Sequence, residues 1–156
     1  MMRLSLALMI ALAAPLPFAA PANADVPAWM SGEWRTNARL TAPDGARLRI
    51  RCTLDADASS ASNWGGTLGC ATVQGRFEGQ WQVAVNGASV NGNVVFSGTE
   101  NAQVAVSGTS SDSRMDLSSS DGQGVAFAPG PDGALIVEMR AMGPQRLTGT
   151  LTFETR

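Results

Sequence analysis

The sequence predicts an all-β fold: an antiparallel meander of about eight to ten strands, wound into a closed or nearly closed β-barrel behind a cleaved signal peptide. Two observations and one physical argument predict it. Beyond residue 30, apolar residues recur at every second position and no segment carries a helical period. Turns rich in Gly, Pro and Asn separate these stretches. Rolling such a meander into a barrel also removes the exposed edges that an open sheet would carry.

At the start of the chain, Arg3 precedes an uncharged apolar run from Leu4 to Ala14, and the stretch ends in Ala22-Asn23-Ala24. This is the pattern of a secretory signal, with an apolar core too short to span a bilayer. Cleavage is expected before Asp25. Residues 25–156 then form a single β-barrel domain, exported to a periplasm or secreted. No later stretch has the length and apolarity of a transmembrane helix.

Ten strands are expected, over residues 33–41, 46–54, 67–74, 77–86, 89–98, 101–109, 112–118, 123–128, 134–142 and 146–154. The clearest is RLTGTLTFET, where Leu147, Gly149, Leu151 and Phe153 alternate with Thr148, Thr150, Thr152 and Glu154. GQWQVAVNG and ALIVEMRAM alternate in the same way. Tight turns are expected at APDGA (42–46), NGAS (86–89), GPDG (130–133) and MGPQ (142–145), where Gly, Asn or Asp tolerates a positive φ. QVAVNG at 82–87 returns as QVAVSG at 103–108, about one hairpin later. Two segments read as loops. DADASSASNWGG (55–66) is small and polar apart from Trp64, and the serine-rich 107–124 segment leaves room only for a short strand around Met115 and Leu117.

Composition removes several chemistries. The chain has no His, and its 11 basic residues are all Arg. Without His there is no Ser-His-Asp or Cys-His machinery and no histidine metal site; without Lys there is no Schiff base. Carboxylates, arginines and hydroxyls remain, in no recognisable catalytic motif, so the expectation is a protein that is not an enzyme and takes no cofactor or metal. Asp112, Asp116 and Asp121 are the candidates for a paired-carboxylate site, but the serine-rich stretch gives nothing to fix their separation. DADAS at 55–59 has the Asp-x-Asp-x-Ser start of a calcium loop, yet Ser60 stands where Gly is wanted and Gly66 where Glu is wanted. The charge balance is mildly acidic, 11 basic against 13 acidic residues, which predicts no general attraction to nucleic acid.

Cys52 and Cys70 have only each other to pair with, and an exported chain oxidises them. A structural disulfide is expected, fixing the strand that ends at Cys52 against the next and tying down the 55–66 loop.

Charge is concentrated in one hairpin. With a three-residue Pro43-Asp44-Gly45 turn, position i pairs with the residue that makes the two numbers total 88. Trp34, Thr36, Ala38 and Leu40 then share a face with Leu48, Ile50, Cys52 and Leu54. The other face carries Arg35, Arg39, Arg47, Arg49 and Arg51, with Arg39 opposite Arg49. It is either a solvated wall, locally neutralised by Glu33, Asp44 and Asp55, or a site for an anion or a partner. A second candidate site is the barrel interior, where Trp34, Trp81, Phe96, Val104, Val137, Met139 and Phe153 either line a cavity for a small apolar ligand or fill it.

Gly32-Glu33-Trp34, a G-x-W where the first strand begins, resembles the opening of the calycin barrels, the lipocalins and avidins. The resemblance implies that this tryptophan plugs one barrel end. The start, with one disulfide, is also similar to the exported bacterial inhibitors of serralysin-type metalloproteases, which implies a protease-contacting arm at Asp25 to Met30. Ten strands exceed the count in those inhibitors, and no lipocalin signature follows. The functional expectation is therefore an exported, non-catalytic barrel that binds a ligand or partner. The alternatives are an envelope-associated protein acting through the arginines, a protease inhibitor, or a carboxylate-based enzyme.

Overall fold

A computed structural model describes residues 26–98 and 100–156. The expected signal peptide over residues 1–24, and Asp25, lie outside the described residues. Ten strands follow in order: β1 (Gly32–Thr41), β2 (Arg47–Ser60), β3 (Asn63–Thr72), β4 (Gly75–Asn86), β5 (Ser89–Gly98), β6 (Ala102–Ser111), β7 (Arg114–Ser118), β8 (Gly124–Pro129), β9 (Leu135–Met142) and β10 (Leu147–Thr155). Single 3-10 turns cover Ala28–Met30 and Pro131–Gly133. Each strand pairs antiparallel with its sequence neighbours and β1 pairs with β10, so the meander closes into a barrel.

The first hairpin has the expected register. The Ala42 N–H donates to the Ala46 carbonyl at 2.9 Å around Pro43-Asp44-Gly45. Gly45 takes φ 85°, a conformation that a Cβ disfavours, and the Asp44 carboxylate accepts a 2.9 Å bond from the Ala46 N–H. Leu40 accordingly faces Leu48, Ala38 faces Ile50, Thr36 faces Cys52 and Trp34 faces Leu54.

The expected loop at 55–66 is instead the continuation of this sheet. β2 runs on to Ser60 and β3 begins at Asn63, joined by a two-residue turn. Alternation carries the reason: Asp55 and Asp57 are exposed while Ala56 between them is buried, and Trp64 is fully buried. Small polar composition hid a strand whose inward residues are only alanines. The serine-rich segment likewise folds, into the end of β6, all of β7 and a turn in which the Gln123 N–H donates to Ser119 Oγ at 3.1 Å.

The QVAVNG and QVAVSG segments lie on β4 and β6, the two strands that flank β5. Val83 and Val106 are both register partners of Gly92. The first copy ends in the turn at Gly87, while the second runs on through Gly108 within β6. A Cβ on Gly108 would overlap the carbonyl oxygen of Asp116. Such a glycine lets the strand coil more tightly than a side chain permits, which bends the wall toward closure.

Inward residues make one apolar core, including Trp64, Phe127, Phe153 and the leucines of β1, β2 and β10. Outward positions carry Arg, Thr, Asn, Gln and Ser, the reverse of the polarity of a membrane-spanning barrel. No helix among the described residues is long and apolar enough to cross a membrane. One end of the barrel is covered by residues 26–30: the Val26 N–H donates to the Ala61 carbonyl at 2.8 Å, Trp29 Nε1 donates to the Asp112 carbonyl at 2.7 Å, and Met30 is fully buried. At the other end the β9–β10 turn is tied to the β7–β8 turn. There the Gly143 N–H donates to Gln123 Oε1 at 2.9 Å, and Arg146 pairs with Asp121 at 3.1 Å.

Candidate functional site

Arg35 and Arg39 on β1, with Arg47, Arg49 and Arg51 on β2, all stand exposed on one outer wall. Arg39 is the direct register partner of Arg49, and Asn37 that of Arg51. Among the described residues the ion pairs are those of Arg114, Arg140 and Arg146; none of these five arginines joins one. The expected neutralisation does not form. Glu33 and Asp55 face each other across the sheet, and Asp44 is engaged by its own turn. Like charges directly opposite each other destabilise a sheet by about a few tenths of a kcal/mol when solvated; no ion pair among the described residues offsets that at Arg39 and Arg49, while Arg35 has Glu154 as its register partner on β10. Arg39, Arg49, Arg51 and Asn37 border a shallow open depression.

This wall continues into a trough along β3. The outward positions of β3 are Asn63, Gly65, Thr67, Gly69 and Ala71, so the strand between β2 and β4 has almost no outward side chains in its second half. At Gly69 and Ala71 the depression holds about 400 Å³, bordered by Arg35, Arg51, Thr53, Arg76 and Glu78. A second depression, of about 770 Å³, lies further along the same strand over Gly65 and the exposed Thr67, bordered by Asp57, Gln80, Gln82, Asn91 and Asn93.

The far wall behaves oppositely. Arg114 binds Asp116 at 3.2 Å and Glu138 at 2.8 Å, and Arg140 closes on Asp116 at 2.5 Å. Ala126, the register partner of both carboxylate positions, is buried beneath them. Burial pushes the Asp116 carboxyl up, but bonds from Arg140 and Arg114 outweigh it and hold it below its ordinary value. Hydrogen bonding from Arg114 lowers Glu138 in the same way, and Glu138 raises Arg114 in return. Bonds from Ser119 and Gln123, with the charge of Arg146, hold Asp121 at about 2. Two of the three candidate carboxylates, Asp116 and Asp121, are thus the anchors of ion pairs, and the exposed Asp112 lends its backbone carbonyl to Trp29. Asp55 and Asp57 point outward from a strand, and no group of three or more His, Cys, Asp or Glu is placed to hold a metal among the described residues.

Inside the barrel, Trp81, Phe96, Val137, Met139 and Phe153 line a wholly apolar central cavity of about 50 Å³; Trp34 and Val104 are buried but do not line it. Trp34 sits at the barrel end, its Nε1 donating to the Gly133 carbonyl at 3.1 Å. Trp64, Trp81 and Phe127 pack together with ring centroids 5.0 to 6.4 Å apart. Of the residues given for a protease-contacting arm, Asp25 lies outside the described residues and Val26 to Met30 dock on the barrel, where the Met30 carbonyl accepts a 2.8 Å bond from Trp64 Nε1. Cys52 and Cys70 form the expected disulfide. They are register partners within the β2–β3 sheet rather than the ends of a loop.

Sequence reading missed the trough, Arg76 and the core role of Trp64. The signal was the alternation in NWGGTLGCAT itself, which puts Trp64, Leu68 and Cys70 on one face, interrupted by Gly66, and Asn63, Gly65, Thr67, Gly69 and Ala71 on the other. Comparison with protein-family models finds none that matches the chain, and no curated protein matches it.

Proposed function

We propose that the protein is an exported, non-catalytic barrel that binds anionic groups of an envelope component or partner through its arginine wall. One contrast carries this reading. Arg114, Arg140 and Arg146 each hold a carboxylate, whereas the five arginines of β1 and β2 hold none among the described residues and include a directly opposed pair. A planar guanidinium is suited to bidentate carboxylate or phosphate, and an anionic partner relieves the repulsion that the wall carries alone.

The interior supports this reading over carriage of an apolar ligand. A cavity of about 50 Å³ is far below the roughly 300–1,000 Å³ of ligand pockets. The docked segment at 26–30 likewise favours it over a protease inhibitor, and the ion-paired Asp116 and Asp121 over a carboxylate enzyme. The closed antiparallel barrel and the burial of Trp34 at one end are in keeping with the calycin resemblance, and the disulfide with an oxidising compartment.

Titration with a soluble polyanion, polygalacturonate, at rising salt tests the reading. Binding should weaken with ionic strength, and Arg39→Ser with Arg49→Ser should reduce affinity by about tenfold, the scale of one lost charge-assisted bond. Unchanged affinity in the double variant would remove it.

A further inference from the structure

We propose that the partner is a linear acidic polysaccharide lying along β3, with its carboxylates on the arginines and its hydroxyls on the amides. This rests on the arginine-wall reading and adds to it a path, a direction and a chemistry.

The path is the trough. From Gly65 to Ala71 it runs roughly 20 Å at about 3.3 Å per residue, and β2 and β4 stand about 10 Å apart as second neighbours. That is room for one chain lying lengthwise. One end is basic, with Arg35, Arg51 and Arg76 around Gly69 and Ala71. The other is bordered on β4 by the primary amides of Gln80 and Gln82, with those of Asn91 and Asn93 beyond them on β5, each able to donate and accept, as a polyhydroxylated chain requires.

Two further features narrow the class. Glu78 and Asp57 stand on the trough borders, so a densely charged chain meets more repulsion there than one whose carboxylates lie a full sugar unit apart. This disfavours polyphosphate. An extended peptide most readily binds a sheet by adding as a strand, and β3, paired along its length with β2 and β4, offers no free edge in the trough. Side chains alone must then do the recognising, which suits a glycan.

Gly69 provides the test. Its φ lies outside the left-handed region, and a Cβ there would meet only Thr53 Oγ1, at 3.5 Å. Gly69→Val therefore fills the trough floor with a residue that strands favour, leaving Arg39 and Arg49 untouched. Polygalacturonate, polyglutamate and polyphosphate would be titrated against the mature protein and this variant at one ionic strength. The protein should bind polygalacturonate about tenfold more tightly than the other two, and Gly69→Val should erase that preference, again about tenfold. Residual salt-sensitive binding of all three polymers should persist. Ala71→Leu, on the same floor, takes the place of Gly69→Val if that variant fails to melt cooperatively. Equal affinity for the three polymers, or tighter binding of polyglutamate, overturns the polysaccharide assignment. Unchanged polygalacturonate binding in the filled-trough variants overturns the path even if Arg39→Ser with Arg49→Ser still weakens it. Failure of that double variant to weaken binding brings down the arginine-wall reading itself.

Discussion

The indole of Trp64 ties three parts of the chain together. It is fully buried, its Nε1 holds the Met30 carbonyl, and its ring packs on Trp81 and Phe127. Trp64→Ala should cost about 3–5 kcal/mol of unfolding free energy, as large aromatic truncations do, measured by urea denaturation; a loss under about 1 kcal/mol would contradict the packing described. Single carboxylates set the acid limit. The folded-state pKa values of Asp121, Asp116 and Glu138 are depressed, so their contribution is present above their ordinary values and lost as pH falls through the folded ones. Melting temperature should therefore hold from neutrality to about pH 5 and drop below about pH 4. Asp121→Asn should shrink the part of that drop nearest pH 2, where Asp121 titrates; an identical acid profile would show that its bonds are not maintained in solution. These carboxylate roles were not legible in the sequence. Arg114 and Glu138 lie 24 residues apart, and only the register through β8 brings them together. Arg39 opposite Arg49 was legible, because turn chemistry and alternation fix the same register independently.

At the scale of elements, strands were readable wherever a strong apolar residue marked every second position, as in β4, β9 and β10. The extension of β2 and β3 was not, since Ala56 and Ala58 are weak markers and Asp and Ser dominate what lies between. That extension changes what the disulfide joins. Cys52 and Cys70 cross-link two long neighbouring strands inside the barrel wall, beside the trough. Closing a loop of this length removes about 3 kcal/mol of unfolded-state entropy, so Cys52→Ala with Cys70→Ala should lower the melting midpoint by on the order of 10 °C, at roughly 3 to 4 °C per kcal/mol. A scan in which the double variant melts with the parent would show that the β2–β3 ladder holds unaided.

For the molecule as a whole, the barrel and its all-β class followed from counting strands and turns, but the caps at its ends did not. Residues 26–30 are too short and irregular to declare where they dock, and the fastening of the β9–β10 turn depends on Gln123, a polar residue that no apolar pattern selects. Closure between β1 and β10 also brings the two ends of the described chain together. Trp34 pairs with Thr155, the Arg156 N–H donates to the Glu33 carbonyl at 3.0 Å, and Val26 is bound at the same barrel end. Topologically the domain is a ring cut at one arbitrary place. A short Gly-Ser linker from Arg156 to Val26 should restore the ring, and reopening it between Gly87 and Ala88, in an exposed hairpin, should give a circular permutant with the same cooperative melt and near-ultraviolet spectrum. In that permutant β4 and β5 become the terminal strands, and the order in which the wall is stitched shut is rewritten while its final shape is kept.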